Sequence, residues 1–113
     1  MKLILAMIQP ERLDAVKKEL FDINVKKMTV LKVKGCGQQG GFSESYRGQV
    51  TEINLLDKIQ LEIMLNDEFV DAAINAIVKG AQSGKIGDGK ISVLPIERCI
   101  RIRTEEKDEK AIG

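Results

Sequence analysis

Hydrophobic and polar residues follow a regular order along most of this chain, and that order predicts its first elements. Residues 2–9 are nearly all apolar, which suits a short strand covered on both faces. Pro10 fits a first helical turn, and apolar residues at helical spacing continue over residues 11–21. Alternation over residues 28–34 then predicts a second strand with Thr29 on one face.

The same order returns in the second half of the chain. Residues 58–65 alternate strictly, and one face of this predicted strand carries Lys58, Gln60, Glu62 and Met64. An amphipathic helix follows, with apolar positions from Phe69 to Ile77, and then a short strand over residues 91–94. Residues 96–103 alternate again, which predicts a last strand. The polar tail, residues 104–113, is predicted to be mobile.

Two strand–helix–strand units in one chain predict an α+β fold, the ferredoxin-like βαββαβ sandwich. Residues 1–113 are expected to form one domain. The two helices can cover only one face of the sheet, so the other face must be solvated or buried by association. Because that face mixes polar and apolar residues, it suits a subunit interface, and we expect an oligomer.

The predicted units are joined by residues 35–56, which contain five glycines and no period. Loops of this length are uncommon in compact domains and are usually functional or disordered. The segment is therefore either an unstructured hairpin connection or an arm that orders on meeting a ligand or partner, and we favour the arm. Residues 35–40 match G-x-G-x-x-G, but no helix pattern follows, so a dinucleotide fingerprint is rejected.

Composition excludes several classes of function. The net charge of +1 gives no basic field for nucleic acid, and only four aromatic residues are available for base stacking. The absence of histidine removes Ser-His and Cys-His nucleophile pairs and histidine metal sites. The two cysteines are expected to be free thiols. No apolar run is long enough to span a bilayer and no secretory signal is recognised, so a cytoplasmic location is expected.

Residues 83–91 hold three glycines and two lysines between a predicted helix and a predicted strand. Glycine leaves backbone amides open to an anion, and the lysines add positive charge, so a phosphate-binding loop is one interpretation and an ordinary turn is the other. The Walker spacing G-x-x-x-x-G-K is present, but Ile91 follows where Ser or Thr is needed. Arg101 and Arg103, side by side on a predicted strand, form either a polyphosphate clamp or a charged edge.

Four segments resemble the PII nitrogen-regulatory signal proteins. They are Lys34-Gly35-x-Gly37-x-Gln39, Tyr46-Arg47-Gly48, Ser83 to Ile91 and Ile100-Arg101-Ile102-Arg103-Thr104. The resemblance runs over nearly the whole chain. It implies a homotrimer with nucleotide sites in the clefts between subunits, where ATP and ADP compete and 2-oxoglutarate binds together with Mg-ATP.

The resemblance also implies which residues bind each effector. Implied nucleotide contacts are Thr29, Gly37, Gln38, Met64, Gly87, Asp88, Gly89, Lys90, Arg101, Ile102 and Arg103, with both arginines reaching the phosphates of a neighbouring subunit. Implied 2-oxoglutarate contacts are Gln39, Gly41, Lys58 and Gly87, and Gln39 would also bind Mg²⁺. The phosphate loop would span residues 82–90.

The long arm corresponds to the family's T-loop, about residues 37–55, which contacts target proteins. Implied target contacts are Tyr46, Arg47, Gly48 and Thr51. The leading target is an ammonium transporter, and other nitrogen-assimilation proteins are further candidates. Binding to a transporter would make a cytoplasmic protein reversibly membrane-associated.

The sequence departs from the family pattern at four positions. Thr51 stands where the modified tyrosine is usual and Gln49 where a phosphorylated serine is known, so neither modification is expected in its usual form. Gln38 replaces a basic residue, and Ser92 replaces an aromatic one. The nucleotide affinities and the identity of the target are therefore open.

The sequence thus predicts a regulatory binding protein, not an enzyme. The alternative is a small ferredoxin-like enzyme acting on a phosphorylated substrate, with Lys85 or Lys90 as an electrophile. An RNA-binding domain of similar topology is a second alternative, but the central strands lack stacking aromatic residues, and no nucleic-acid partner is expected.

Overall fold

A computed structural model of the protein describes residues 1–36, 42–44, 50–53 and 55–113, and for 42–44 and 50–53 it describes the backbone only. The elements in chain order are β1 (Lys2–Ile8), a 3-10 turn (Pro10–Arg12), α1 (Leu13–Asp22), β2 (Thr29–Gly35), β3 (Phe42–Glu44), β4 (Val50–Ile53), β5 (Leu56–Leu65), a 3-10 turn (Asp67–Phe69), α2 (Val70–Ala81), β6 (Lys90–Pro95) and α3 (Glu109–Ile112). Apart from β3 and β4, the predicted elements are confirmed as far as Pro95, with small shifts at their ends.

β1, β2, β5 and β6 form one antiparallel sheet in the order β2-β5-β1-β6. This order is that of the ferredoxin-like arrangement, so the α+β fold class is confirmed. β3 and β4 pair with each other in a separate two-stranded sheet. Part of the predicted arm therefore has regular backbone pairing.

The core lies between one face of the sheet and the two longer helices. Its fully buried large side chains are Ile4, Ile8, Val16, Leu20, Leu61, Ile63 and Ile77. They come from alternate positions of the strands and from one face of each helix, as the two periods require. At Gly80 in α2 a Cβ would lie 2.7 Å from the Cα of Val16 in α1, so glycine permits the close crossing of the two helices.

Neither α1 nor α2 covers the opposite face of the sheet, which we call the open face. The register places the following residues on it: Leu3, Leu5, Met7, Leu31, Val33, Lys58, Gln60, Glu62, Met64 and Leu94. None of these side chains is fully buried, and Met64 is 54% exposed. The open face thus has an apolar centre on β1, and beside it lie the four residues of β5 that the alternation placed there, Lys58, Gln60, Glu62 and Met64.

The predicted last strand, residues 96–103, is wrong. Ile96 extends the pairing of β6 by one bond, from its N–H to the carbonyl of Met1 at 3.0 Å. The chain then folds back on itself: the Arg101 N–H donates to the carbonyl of Glu106, and Ile100 bridges Lys107. Alternation indicates two faces but no partner, and here the segment bonds to the tail that follows it and not to an edge strand of the sheet.

The tail, residues 104–113, forms turns and the short helix α3. Its predicted mobility stays a prediction, but its contacts are defined. The predicted contacts at Gly37, Gln38, Gln39, Gly41, Tyr46, Arg47 and Gly48 lie outside the described residues. Thr51 lies in β4.

Candidate functional site

The turn from α2 to β6, residues 82–89, adopts a backbone conformation that favours glycine at three positions. The φ angle is 84° at Gly84, 103° at Gly87 and 107° at Gly89. Gly89 also lies against the end of β1, where a Cβ would overlap the carbonyl oxygen of Met7 and lie 2.8 Å from its carbonyl carbon. The loop is therefore pressed onto β1, and its shape depends on glycine.

Asp88 braces this loop from inside. Its Oδ2 accepts hydrogen bonds from the backbone N–H groups of Ser83 at 2.8 Å and Gly84 at 2.9 Å, and its Oδ1 accepts one from the Ser83 hydroxyl. The Ser83 hydroxyl contributes most to lowering the pKa of Asp88 below its ordinary value, since these donors favour the ionised form. On the other side, the Gln9 amide donates to the carbonyl of Gly87 at 2.8 Å. The amides of Ser83 and Gly84 are thus occupied by the loop's own carboxylate.

Two lysines stand at this end of the open face. Lys90 begins β6 opposite Met7 and is exposed, and its side chain forms no hydrogen bond or ion pair with the described part of the chain. Lys58 in β5 is half-buried and lies opposite Val33. The strand order places the two backbones roughly 12 Å apart with β1 between them. We call this region, the loop and these two lysines, the loop end.

A second group of candidate residues surrounds a cavity of about 360 Å³ at the other end of the sheet. Thr29 in β2 lies opposite Glu62 in β5, and Met64 lies two residues further along β5 on the same face. Cys99, Ala111 and Ile112 complete the wall, so the C-terminal segment closes a cavity that begins on the sheet. This region, with Arg101 and Arg103, is the C-terminal end.

The paired arginines have different surroundings. Arg101 is only 29% exposed: its Nη1 lies 3.0 Å from Oε1 of Glu106, and its Nη2 donates to the carbonyl of Gly113 at 2.9 Å. Arg103 is exposed and forms no hydrogen bond or ion pair within the described residues. Because the segment is a turn and not a strand, the two guanidiniums do not form the parallel clamp that strand spacing predicts.

The two ends are far apart within one chain. Lys90 pairs with Met7 at one end of β1, whereas Pro95 pairs with Lys2 at the other. Five strand steps separate the backbones of Lys90 and Pro95, roughly 17 Å. The structure therefore brings Thr29 and Met64 together with the C-terminal segment, and Gly87 to Lys90 together with Lys58, but it does not bring these two groups to each other.

The described residues contain no cluster of three or more Asp, Glu, Cys or His side chains that could hold a metal ion. At the loop end the carboxylate of Asp88 is already hydrogen-bonded within its own loop. Magnesium is usually bound by few protein ligands together with substrate phosphates and water, so a magnesium site does not require such a cluster. The predicted magnesium ligand Gln39 lies outside the described residues.

Sequence reasoning did not assign Gln9, Glu62, Cys99, Ala111 or Ile112 to either end. Gln9 and Glu62 are single polar residues in or beside strands, and nothing in their spacing marks them. The apolar pair Ala111-Ile112 after a charged run was the one available signal that the tail docks on the sheet.

Comparison with known proteins gives a consistent result. A family model, Nitrogen regulatory protein P-II, matches residues 1–106. The chain is 53% identical to nitrogen regulatory protein GlnK1 of Methanosarcina mazei, over 99% of this chain and 97% of that protein. It is 51% identical to nitrogen regulatory protein P-II of Haemophilus influenzae, over 99% of this chain and 100% of that protein.

Among solved structures, the fold resembles that of Arabidopsis thaliana PII bound to citrate. The TM-score is 0.79 at 33% sequence identity, covering 98% of this chain and 88% of that chain. Within the described residues, no helix has the length and apolar content that crossing a membrane requires.

Proposed function

The chain belongs to the nitrogen regulatory protein P-II family, and on that premise we propose that it senses ATP, ADP and 2-oxoglutarate and reports their state to proteins of nitrogen assimilation. The relatives named above are regulatory proteins, which supports a binding function rather than catalysis. The proposed site is a nucleotide cleft shared between neighbouring subunits of a homotrimer.

The observation that carries this proposal is the separation of the loop end from the C-terminal end. The phosphate loop and the cavity that Thr29, Glu62 and Met64 line stand at different ends, and one chain cannot bring them together across roughly 17 Å. If the loop end of one subunit meets the C-terminal end of the next, the contact is heterologous, and a heterologous contact whose rotation closes after three subunits gives a trimeric ring. The uncovered, partly apolar open face supplies an interface for such a ring.

The loop end suits phosphate groups. Gly87 and Gly89 have positive φ angles and no side chain that would cover the loop backbone. The exposed Lys90 adds a positive charge beside them. Asp88 acts by holding the loop in shape. Arg103 of the neighbouring subunit would add a second cation, while Thr29 and Met64 of that subunit would contact the adenine and ribose.

The effector 2-oxoglutarate is proposed to bind beside Lys58, with Gln39, Gly41 and a Mg²⁺ ion shared with ATP. Lys58 is half-buried on the open face, where a dicarboxylate would find a partly desolvated cation. The Arabidopsis relative is bound to citrate, itself a polycarboxylate, and this supports a carboxylate effector in the family. Mg²⁺, when bound, would link the charges of nucleotide and effector.

The target is proposed to be an ammonium transporter or another nitrogen-assimilation protein, contacted through residues 37–55. Effector binding beside Gln39 would favour one conformation of this arm, because a ligand shifts the population toward the state that it binds better. The protein would then be cytoplasmic and would reach the membrane only through its target.

A test of the shared cleft uses two variants, one that removes a cation from the loop end and one that removes a cation from the C-terminal end. Lys90→Ala and Arg103→Ala chains carry different tags, are co-expressed, and are purified over both tags. Each variant alone should bind ATP at least about tenfold more weakly, since each removes one charged phosphate contact. A mixed trimer should regain about one cleft of wild-type affinity, because one loop end and one C-terminal end are both intact there.

The matched control is Arg98→Ala, which removes an exposed arginine from the same segment as Arg103 and should leave ATP affinity unchanged. Calorimetry gives both affinity and stoichiometry. Mixed trimers with no recovered site would contradict a cleft shared between subunits, and an unchanged affinity in Arg103→Ala would remove that residue from the cleft.

A second expectation concerns the order of binding. Because Mg²⁺ connects the two ligands, 2-oxoglutarate should bind only when Mg-ATP is present, and Lys58→Ala should abolish that binding while ATP still binds. Calorimetric titration with 2-oxoglutarate, with and without Mg-ATP, measures this directly. Equal binding in both conditions would contradict the shared-metal arrangement.

A further inference from the structure

Gln9 stands where β1 ends and the turn toward α1 begins. Its backbone is extended, with φ of −70° and ψ of 141°, because the ring of Pro10 disfavours helical geometry at the residue before it. Its carbonyl accepts a hydrogen bond from the N–H of Arg12 at 3.0 Å, but its side chain makes no capping bond to this turn. The turn therefore fixes the backbone of Gln9 without using its side chain as a cap.

The side chain of Gln9 reaches the loop between α2 and β6. Its Nε2 donates to the carbonyl of Gly87 at 2.8 Å, and this partly buried bond joins residues 78 positions apart. Only the NH₂ group of a glutamine amide can donate to a carbonyl, so the contact also fixes which way the amide is turned. Gly89 keeps the loop within reach, because it lies directly against Met7 near the end of the same strand.

The loop thus has two braces, and they hold different peptide groups. On the side of α2, the carboxylate of Asp88 accepts the N–H groups of Ser83 and Gly84. On the side of β6, Gln9 holds the carbonyl of Gly87. Removal of the Gln9 brace should therefore leave the Asp88 brace in place, which gives each brace its own readout.

Holding a carbonyl also aims the amide of the same peptide group. The peptide between Gly87 and Asp88 is trans, so its C=O and its N–H point in opposite directions. With the carbonyl turned toward Gln9, the N–H of Asp88 points away from β1. In the part of the chain that the structure describes, the N–H groups of Gly87, Asp88 and Gly89 donate to no other group. Adjacent N–H groups of this kind form a site for an anion.

We propose that Gln9 is a positioning residue for the glycine loop: through the carbonyl of Gly87 it aims the amide of Asp88 at the phosphate groups of a bound nucleotide. The phosphate part rests on the proposed function, whereas the contact between Gln9 and Gly87 belongs to the chain itself. Gln9 carries no charge, so its effect is one of orientation.

A competing role for Gln9 is direct contact with a carboxylate effector. Ile8 pairs with Ile59, so Gln9 stands beside Lys58 at the end of these two strands. The two roles differ in what each substitution changes. A positioning residue affects the Gly87 peptide before any ligand is added and then affects ATP binding, whereas an effector contact affects 2-oxoglutarate alone.

The first experiment examines the full, nucleotide-free protein by NMR. The wild type should show coupling through the hydrogen bond between Gln9 Nε2 and the Gly87 carbonyl carbon. Gln9→Leu removes the donor and should shift the signals of that carbonyl carbon and of the Asp88 amide. Hydrogen exchange at Ser83 and Gly84 should stay at the wild-type rate, because Asp88 still holds them. An unchanged Gly87 carbonyl signal in Gln9→Leu would overturn the brace.

The second experiment measures ATP affinity by calorimetry. Gln9→Leu should bind ATP about fivefold more weakly, because an amide that is no longer aimed loses part of its hydrogen bond to phosphate. Gln9→Lys should retain the wild-type affinity and the wild-type Gly87 carbonyl signal, since an ammonium group can still donate to the carbonyl. Gln82→Leu is the matched control: it removes an exposed glutamine at the start of the same loop and should leave ATP affinity unchanged.

The positioning role would be overturned by unchanged ATP affinity in Gln9→Leu, or by equal losses in Gln9→Leu and Gln9→Lys. A loss confined to 2-oxoglutarate, titrated at saturating Mg-ATP, would make Gln9 an effector contact instead. Failure of the proposed function would show differently, as a wild-type chain that binds no ATP. The phosphate role of Gln9 would then fall with it, although the Gly87 signal would still shift in Gln9→Leu.

Discussion

The loop end and the C-terminal end both carry positively charged side chains but are held in shape by different means. The shape of the loop end is set mainly by backbone conformation, because Gly89 lies where no side chain fits. The Asp88 carboxylate then accepts hydrogen bonds from Ser83 in the same loop. The shape of the C-terminal end is set by one long side chain, since Arg101 donates hydrogen bonds to carbonyls in the last turn of the chain. A site fixed by backbone can be found from a glycine motif, whereas a site fixed by a side chain depends on what that side chain meets.

Adding one methyl group to a loop glycine is the strongest test of how far the loop end depends on its backbone conformation. Gly89→Ala should lower the free energy of unfolding by about 3 kcal/mol or more, because the Cβ would overlap the backbone of Met7 at a positive φ. Gly84→Ala is the matched control: its φ is 84° but nothing lies within 4 Å, so the cost should be about 1–2 kcal/mol. Denaturant unfolding at one fixed protein concentration measures both, and equal losses would contradict the close contact with β1.

A smaller effect is expected from the carboxylate that braces the loop. The pKa of Asp88 is lowered by the Ser83 hydroxyl first and then by backbone donors, so its contribution to stability is present above its unfolded-state pKa and is lost as pH falls through the lower folded-state pKa. Ser83→Ala should move the titration of Asp88 in NMR upward toward the ordinary range, near 3.9. Ser92→Ala, another exposed serine, should leave that titration unchanged. An unshifted Asp88 in Ser83→Ala would mean that the hydroxyl does not hold it.

The smallest effect should come from the ion pair at the C-terminal end. Glu106→Gln removes the negative charge that pairs with Arg101 at 3.0 Å, but both side chains are partly exposed, so the free energy of unfolding should change by about 0.5 kcal/mol or less. The carbonyl bonds of Arg101 remain, and α3 should stay docked by hydrogen exchange. If Glu106→Gln instead released α3 as fully as Arg101→Ala, the carboxylate of Glu106 would be the main contact that keeps Arg101 on the C-terminal turn.

The sequence predicted the core well because each buried residue follows a simple period. The strict alternation of residues 58–65 placed Ile59, Leu61 and Ile63 on the buried face and Lys58 on the open one, as observed. The same reasoning failed for residues 96–103, since alternation indicates two faces but not a partner strand. The contact of Gly89 with Met7 and the docking of Ile112 beside Thr29 join residues too distant in sequence for any local pattern to indicate.

By itself the sequence determined the elements of the main sheet and its two long helices, the face that each one buries and the glycine turn, because these depend on local conformational energies and on periods of two and 3.6 residues. Tertiary structure alone decided that the glycine loop and the paired arginines stand at opposite ends of the sheet, and that Arg101 turns back to its own C-terminus. These features depend on which distant atoms the folded chain brings within bonding distance, and no residue carries that information alone.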